Sequence, residues 1–259
     1  MSDLISGLFG LDAHQVLLAL AITPFAGFIK GAVGFAMPLI MISAFSSFLP
    51  PDVALAGLIL PTLITNLSQA FRQGPAAAWD TAKEFRRFII GTVIFIGISA
   101  QLFDLIPRVS YLLLLGIPVT AFAALQLFGV PLALRLEHRN RAEWALGVVG
   151  GIYGGVSGIW GPPLLVYLLS TNVEKIRMIR AQGVVFLIGA IALMAAHLGT
   201  GLLSGPRLAF SALLILPAQI GMVIGFRLQD RLPQATFRKI NQALRVVSGL
   251  NLVRQALFG

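Results

Sequence analysis

Cysteine is absent from the 259 residues, which excludes disulfides, thiolate metal ligands and cysteine catalysis. Histidine is scarce, and His14, His138 and His197 are too scattered to form a metal site. No cofactor is expected. Acidic side chains number ten against 19 lysines and arginines. All ten fall in loops or at the ends of apolar segments, so no carboxylate is expected at membrane depth for a proton relay or a sodium site. His197 is the one side chain in an apolar span that titrates near neutral pH. A packed polar role fits it better, which leaves the substrate itself to carry any proton. Basic runs with interleaved aromatics are also missing, so the charge of +9 does not mark a nucleic-acid binder. The N-terminus, MSDLISGLFGLDAH, lacks the basic start of a signal peptide, and its first apolar segment is expected to stay in the mature protein.

Apolar length is abundant. Hydrophobic residues make up 57% of the chain and charged ones 11%, with a mean hydropathy of +0.89. Windows such as 53–71, 109–130 and 208–226 carry little or no charge. About 20 apolar residues suffice to cross roughly 30 Å of hydrocarbon as a helix. The expected class is an all-α integral membrane protein with several spans.

The chain also repeats itself. Residues 27–38 read GFIKGAVGFAMP and residues 151–162 read GIYGGVSGIWGP. Gly27, Gly31, Gly34 and Pro38 match Gly151, Gly155, Gly158 and Pro162 at one constant offset. Further on, Ala56 aligns with Ala181, Gly74 with Gly199, and LFDLIP (102–107) with LQDRLP (228–233). Two homologous halves are read, 1–133 and 142–259, joined by a charged cytoplasmic linker at 134–141.

Charge placement orients the halves. If 72–87, 135–141, 172–180 and 227–239 are cytoplasmic, that side holds fourteen of the 19 basic residues, as the positive-inside bias requires. Segments 13–49 and 142–171 must then each start and finish on one side. Each is expected to be a broken, re-entrant-like helical hairpin followed by three transmembrane helices. The odd number of crossings makes the two repeats inverted in topology, a plan common in secondary transporters. Eight simple spans in parallel halves are the rival arrangement, and they would put Lys175, Arg177 and Arg180 on the opposite side.

Broken backbone survives at membrane depth only where protein buries it or it lines a polar cavity. The spacing G-x3-G-x2-G-x3-P predicts a helix end, an unwound tip and a new helix opening at Pro38, with the same pattern near Pro162 and Pro163. Two facing helix N-termini would attract an anion. The same glycines also suit close packing between straight helices.

Lys30 stands at the first predicted tip. It either meets an anion there or snorkels to the interface. Arg245 lies on a polar stripe with Asn241, Ser248 and Gln255 and has the same two readings. Thr62, Asn66 and Gln69 form another stripe that either binds solute or glues helices. Ser157 and Trp160 mark the second tip, and Gln182 is a weaker candidate. The substrate-binding set is Lys30, Gly31, Gly34, Asn66, Ser157, Gly158, Trp160, Gly161 and Arg245. No catalytic residue and no metal ligand are expected.

The paired segments GFIKGAVGFAMPLIM and GIYGGVSGIWGPPLLVY resemble the TauE/SafE family of sulfite exporters and related membrane transporters. The second matches the family signature through residues 154–163. The first departs from it at Ala36 and Met37, where glycines are common, and at Lys30. The resemblance implies transport of sulfite, a sulfonate or a similar small organic anion in a bacterial inner membrane. An anion channel, or a carrier of an unrelated small carboxylate, are the alternatives. No nucleophile–base pair at membrane depth suggests an enzyme. The expected partners are a small anionic substrate and the lipid bilayer, with a homodimer left open and no nucleic acid.

Overall fold

The computed structural model describes residues 7–127, 138–171, 173–230 and 254. These form α1 (Ala13–Val33), α2 (Met37–Phe45), α3 (Pro51–Ala70), α4 (Pro75–Glu84), α5 (Arg86–Ala100) and α6 (Arg108–Leu127) in the first half. The second half contributes α7 (Arg139–Ser157), α8 (Gly161–Ser170), α9 (Lys175–Gly199), α10 (Gly205–Leu213) and α11 (Ile215–Gln229). No strand occurs among the described residues. A counterpart to α6 would fall within 231–259, outside the described residues apart from Arg254.

Among the described residues, four stretches are long and apolar enough to span a bilayer: Ala13–Val33, Pro51–Ala70, Ile176–Gly199 and Gly205–Gln229. Isoleucines 90, 94 and 98 on α5, and Leu216, Ile220 and Ile224 on α11, are exposed at helical spacing. Such stripes suit acyl chains, because every backbone group behind them is satisfied within its helix. The protein is an all-helical integral membrane protein.

Proline sets many of the helix starts. α2, α3, α4, α8 and α10 each carry one in the first turn, where the missing N–H is no loss. Inside α3, Pro61 cannot donate to the Gly57 carbonyl. Ser211 of α10 covers the gap, approaching that carbonyl at 3.5 Å and accepting from the Leu60 N–H at 3.1 Å.

Both glycine-rich segments break where the spacing predicts. α1 stops at Val33, and Gly34 takes a left-handed φ of 90° with its N–H on the Lys30 carbonyl at 2.7 Å. α7 stops at Ser157, and Gly158 repeats the turn at φ 69°, donating to the Gly154 carbonyl at 2.8 Å. Each pair then folds back on itself. Gln15 near the start of α1 donates to the Phe48 carbonyl just beyond α2 at 3.0 Å. Tyr167 of α8 donates to Glu143 in the first turns of α7 at 3.3 Å. A continuing helix would carry these partners apart, since each residue adds 1.5 Å of rise.

The other motif glycines serve packing. A Cβ at Gly27 or Gly31 would overlap the carbonyl oxygens of Ala218 and Met222 on α11, and one at Gly221 or Gly225 would overlap those of Pro24 and Phe28. Gly147, Gly151 and Gly155 on α7 meet α5 in the same way, at the carbonyls of Phe88, Thr92 and Ile96. α1 therefore packs on α11 and α7 on α5, so each hairpin leans on the opposite half. Likewise α3 packs on α10 and α9 on α4, while α3 and α9 pack on each other. Exchanging the halves maps this set of contacts onto itself.

Polar contacts gather at the ends. Arg177 pairs with Glu84 at 2.8 Å, Arg180 donates to Thr81 at 2.9 Å and to Gln73 at 2.8 Å, and Arg139 lies 3.8 Å from Glu84. Segments 72–87, 139–143 and 173–180 therefore share one end of the bundle. Asp52 and Arg207 pair at 2.8 Å elsewhere, between the starts of α3 and α10. Glu143, buried at the first end, accepts from the N–H groups of Arg87 and Phe88 at 3.1 and 3.3 Å. It caps α5, a favourable place for a carboxylate beside a helix N-terminus.

Candidate anion-binding site

Where the two tips meet, a cavity of about 40 Å³ is lined by Phe35, Ala36, Pro38 and Leu39 from the first and by Gly158, Ile159, Trp160, Gly161 and Pro162 from the second. Lys30, Thr62, Asn66 and Phe186 complete it. That is space for roughly three water molecules, the scale of a compact oxyanion. Among the described residues the lining contains no acidic one.

Lys30 reaches the cavity from the last turns of α1 and is only 1% exposed. Snorkelling does not describe it. Its Nζ donates to Thr65 Oγ1 at 2.8 Å and to Asn66 Oδ1, both on α3. Both act as acceptors in this arrangement. Thr65 sends its own proton to the Pro61 carbonyl at 2.6 Å. Asn66 offers its oxygen to Nζ, which turns its Nδ2 donor elsewhere.

Among the described residues that Nδ2 has no partner. Thr62 Oγ1 and Trp160 Nε1 are likewise buried without one. Three unmet polar groups on cavity-lining residues, two of them obligate donors, describe a site built to receive an acceptor. Leaving such a group unpaired costs about 1–3 kcal/mol each, which a bound oxyanion would offset. The starts of α2 and α8 face the same space through Pro38, Leu39, Gly161 and Pro162, and helix starts favour negative charge. Trp160 is held in a slot: its indole abuts Gly189 and Gly154, where a Cβ would stand 2.7 and 3.0 Å from ring carbons.

Of the sequence-predicted residues, Lys30, Asn66, Gly158, Trp160 and Gly161 come together at the cavity, with Thr62. Three others do not line it. Gly31 lies against Met222 and Gly225 because α1 must approach α11 closely. Gly34 forms the turn beside Gln182 and Gln69. Ser157 spends its hydroxyl locally, donating to the Tyr153 carbonyl at 2.6 Å and accepting from the Ile159 N–H at 3.0 Å. Arg245 and its stripe fall outside the described residues. Gln69 acts as glue, donating to the carbonyls of Gly34 at 2.8 Å and Ile179 at 3.0 Å. His197 is packed, with Nε2 2.9 Å from the Gly155 carbonyl and its ring edge-on to Phe103.

Sequence reasoning missed Thr65 and Phe186. Thr65 sits beside Asn66 and three residues after Thr62, so the polar stripe itself was the available signal. Phe186, edge-on to Trp160 with centroids 6.1 Å apart, carries no signal that separates it from other apolar residues of its span.

No curated protein and no solved structure matched the chain. The family model of the sulfite exporter TauE/SafE matches residues 19–252, a stretch that holds both hairpin tips and every residue lining the cavity. The chain belongs to the TauE/SafE family of sulfite exporters, a family of membrane transporters.

Proposed function

We propose that this protein is a secondary carrier of a small sulfur-containing or organic anion, sulfite or a sulfonate, held between the two hairpin tips in a bacterial inner membrane. One observation carries the reading. Lys30, Asn66, Thr62 and Trp160 line one cavity with no acidic group among the described residues, and Asn66 Nδ2, Thr62 Oγ1 and Trp160 Nε1 are buried there without a partner. Carbonyl-bound sodium or a cationic solute would find the wrong polarity there. Lys30 and the unpaired donors hold the anion, while Phe35, Leu39 and Phe186 exclude water around it.

The repeats are inverted in this proposal, with the arginine-rich end of the bundle cytoplasmic. The pairing of Arg177 and Arg180 with residues of 73–84 supports it, because parallel halves would set these segments on opposite sides. Cysteines introduced at Lys83 and Arg177 are expected to label from the same face. Labelling from opposite faces overturns the inverted arrangement.

The site itself is tested by thermal stabilisation of the purified protein with sulfite, sulfonates and carboxylates, since a ligand of the folded state raises its apparent stability. A sulfur oxyanion is expected to stabilise the wild type, with at least tenfold weaker apparent affinity in Lys30→Ala. Equal affinity in that variant removes Lys30 from the site. Saturable counterflow in liposomes is expected of a carrier, whereas large single-channel currents would make the protein a channel.

A further inference from the structure

We propose that Lys30 is the proton-carrying group of the transport cycle: its amine takes up one proton as the anion binds and releases it when the anion leaves. The inference rests on the anion-carrier reading of the same cavity and names what moves with the anion.

Hydrogen-bond arithmetic leads to it. A neutral lysine amine has two N–H bonds, and the structure provides two acceptors for them, Thr65 Oγ1 and Asn66 Oδ1. Both acceptors are uncharged. A third N–H exists only on the ammonium, and the remaining space beside Lys30 is the cavity. An ammonium buried without a counter-charge is costly in a low-dielectric interior. The anion supplies that counter-charge. Filled, the site holds an ammonium with three partners; empty, it holds an amine with two.

Among the described residues nothing else near Lys30 can take this part. α2 contains no titratable residue. On α3 the sole charged group is Asp52, paired with Arg207. On α11 it is Arg227, exposed in the last turn, followed by Asp230 on Arg72. From the second half, α8 presents Tyr167 on Arg139 and Glu143. The buried Glu143 caps α5, and His197 on α9 is engaged by Gly155. Lys30 is the one titratable residue that lines the cavity among the described residues. The step balances simply. A proton from water forms one N–H bond on Nζ, the anion associates with the ammonium, and after reorientation both anion and proton depart to the other side.

Two measurements decide it, both with sulfite as the probe and protein-free vesicles as the blank. In liposomes, Lys30→Arg keeps a permanent charge. The ratio of its net flux into sulfite-free vesicles to its own exchange of labelled for unlabelled sulfite is expected to fall at least tenfold below the wild-type ratio, because the empty carrier stays charged. Net flux and its pH dependence unchanged in Lys30→Arg would mean the proton rides on the substrate and would overturn the proposal. Wild-type protein that exchanges no sulfite and binds none would instead overturn the carrier reading on which it depends. The second measurement needs no variant. The chain has four lysines, Lys30, Lys83, Lys175 and Lys239, and ¹⁵N-lysine NMR distinguishes amine from ammonium. One of the four signals is expected to be an amine without sulfite and an ammonium at saturation. Four ammonium signals in both states overturn the proposal.

Discussion

The two hairpin tips share a backbone and divide the chemistry. Gly34 and Gly158 turn their chains through the same left-handed conformation, each bonded to the carbonyl four residues back. The residue supplying that carbonyl is Lys30 in one tip and Gly154 in the other. Lysine at the first position brings an amino group to the cavity. Glycine at the second makes room for the Trp160 ring, which lies where a side chain would go. The closing bonds differ too. The first turn has its Gly34 carbonyl held from outside by Gln69, whereas the second is closed from within by the Ser157 hydroxyl. The two tips share the break and differ in what they bring, one an amine and the other a rigid aromatic wall.

That division can be broken at several levels. The largest effect is expected from the glycines both hairpins use alike. Gly31→Val and Gly155→Val would each drive a side chain into the backbone of the facing helix, a destabilisation on the order of 3 kcal/mol or more. Loss of monodisperse protein on purification checks it, and two well-folded variants would refute the close-packing account. Next comes Asn66→Asp, which gives Lys30 a permanent carboxylate partner. The internal ion pair competes with the substrate, so sulfite affinity should fall at least tenfold while the fold survives; unchanged titration would count against a charge-based site. Trp160→Phe tests the second tip alone. It keeps most of the ring in the slot and deletes one donor, so affinity should drop about fivefold, the worth of roughly 1 kcal/mol for one hydrogen bond. The smallest effect belongs to Ala36, which adopts φ 53° at the end of the first tip. Left-handed backbone costs a residue with a Cβ roughly 1–2 kcal/mol, and glycine's extra freedom returns about half of that. Ala36→Gly is therefore expected to raise the melting temperature by a degree or two, and a lower value would show that the strain is absent.

The helix breaks were legible because glycine and proline act locally: a left-handed turn and a missing N–H do not depend on distant partners. For the same reason Lys30 and Trp160 stood out as polar or aromatic groups beside a break, while Asn66 stood out through the polar stripe it shares with Thr62 and Gln69. The division of labour among the glycines was not legible. Gly31 and Gly34 are three residues apart in one motif, yet one faces α11 and the other makes the turn. Only the position of a helix about 190 residues away tells them apart. Close packing and helix breaking were read as rival explanations of the motif, and each holds for different members of it. Thr65 was missed for a related reason. A threonine in an apolar helix most often bonds its own backbone, as Thr65 does to Pro61, and its second role appears only once α1 delivers Lys30.

The crossed packing of the halves bears on how the chain assembles. α1 leaves the ribosome long before the helix it must embrace, since Gly27 and Ala218 are 191 positions apart. Until α11 is inserted, the glycine face of α1 has only lipid or a temporary neighbour against it, and the Lys30 amine can be captured early by the Thr65 and Asn66 side chains of α3. Late-forming long-range contacts are slow and leave intermediates exposed. The first hairpin is thus made early and completed late, and the hydrogen bonds from Lys30 to Thr65 and Asn66 tie α1 to α3 without needing α11.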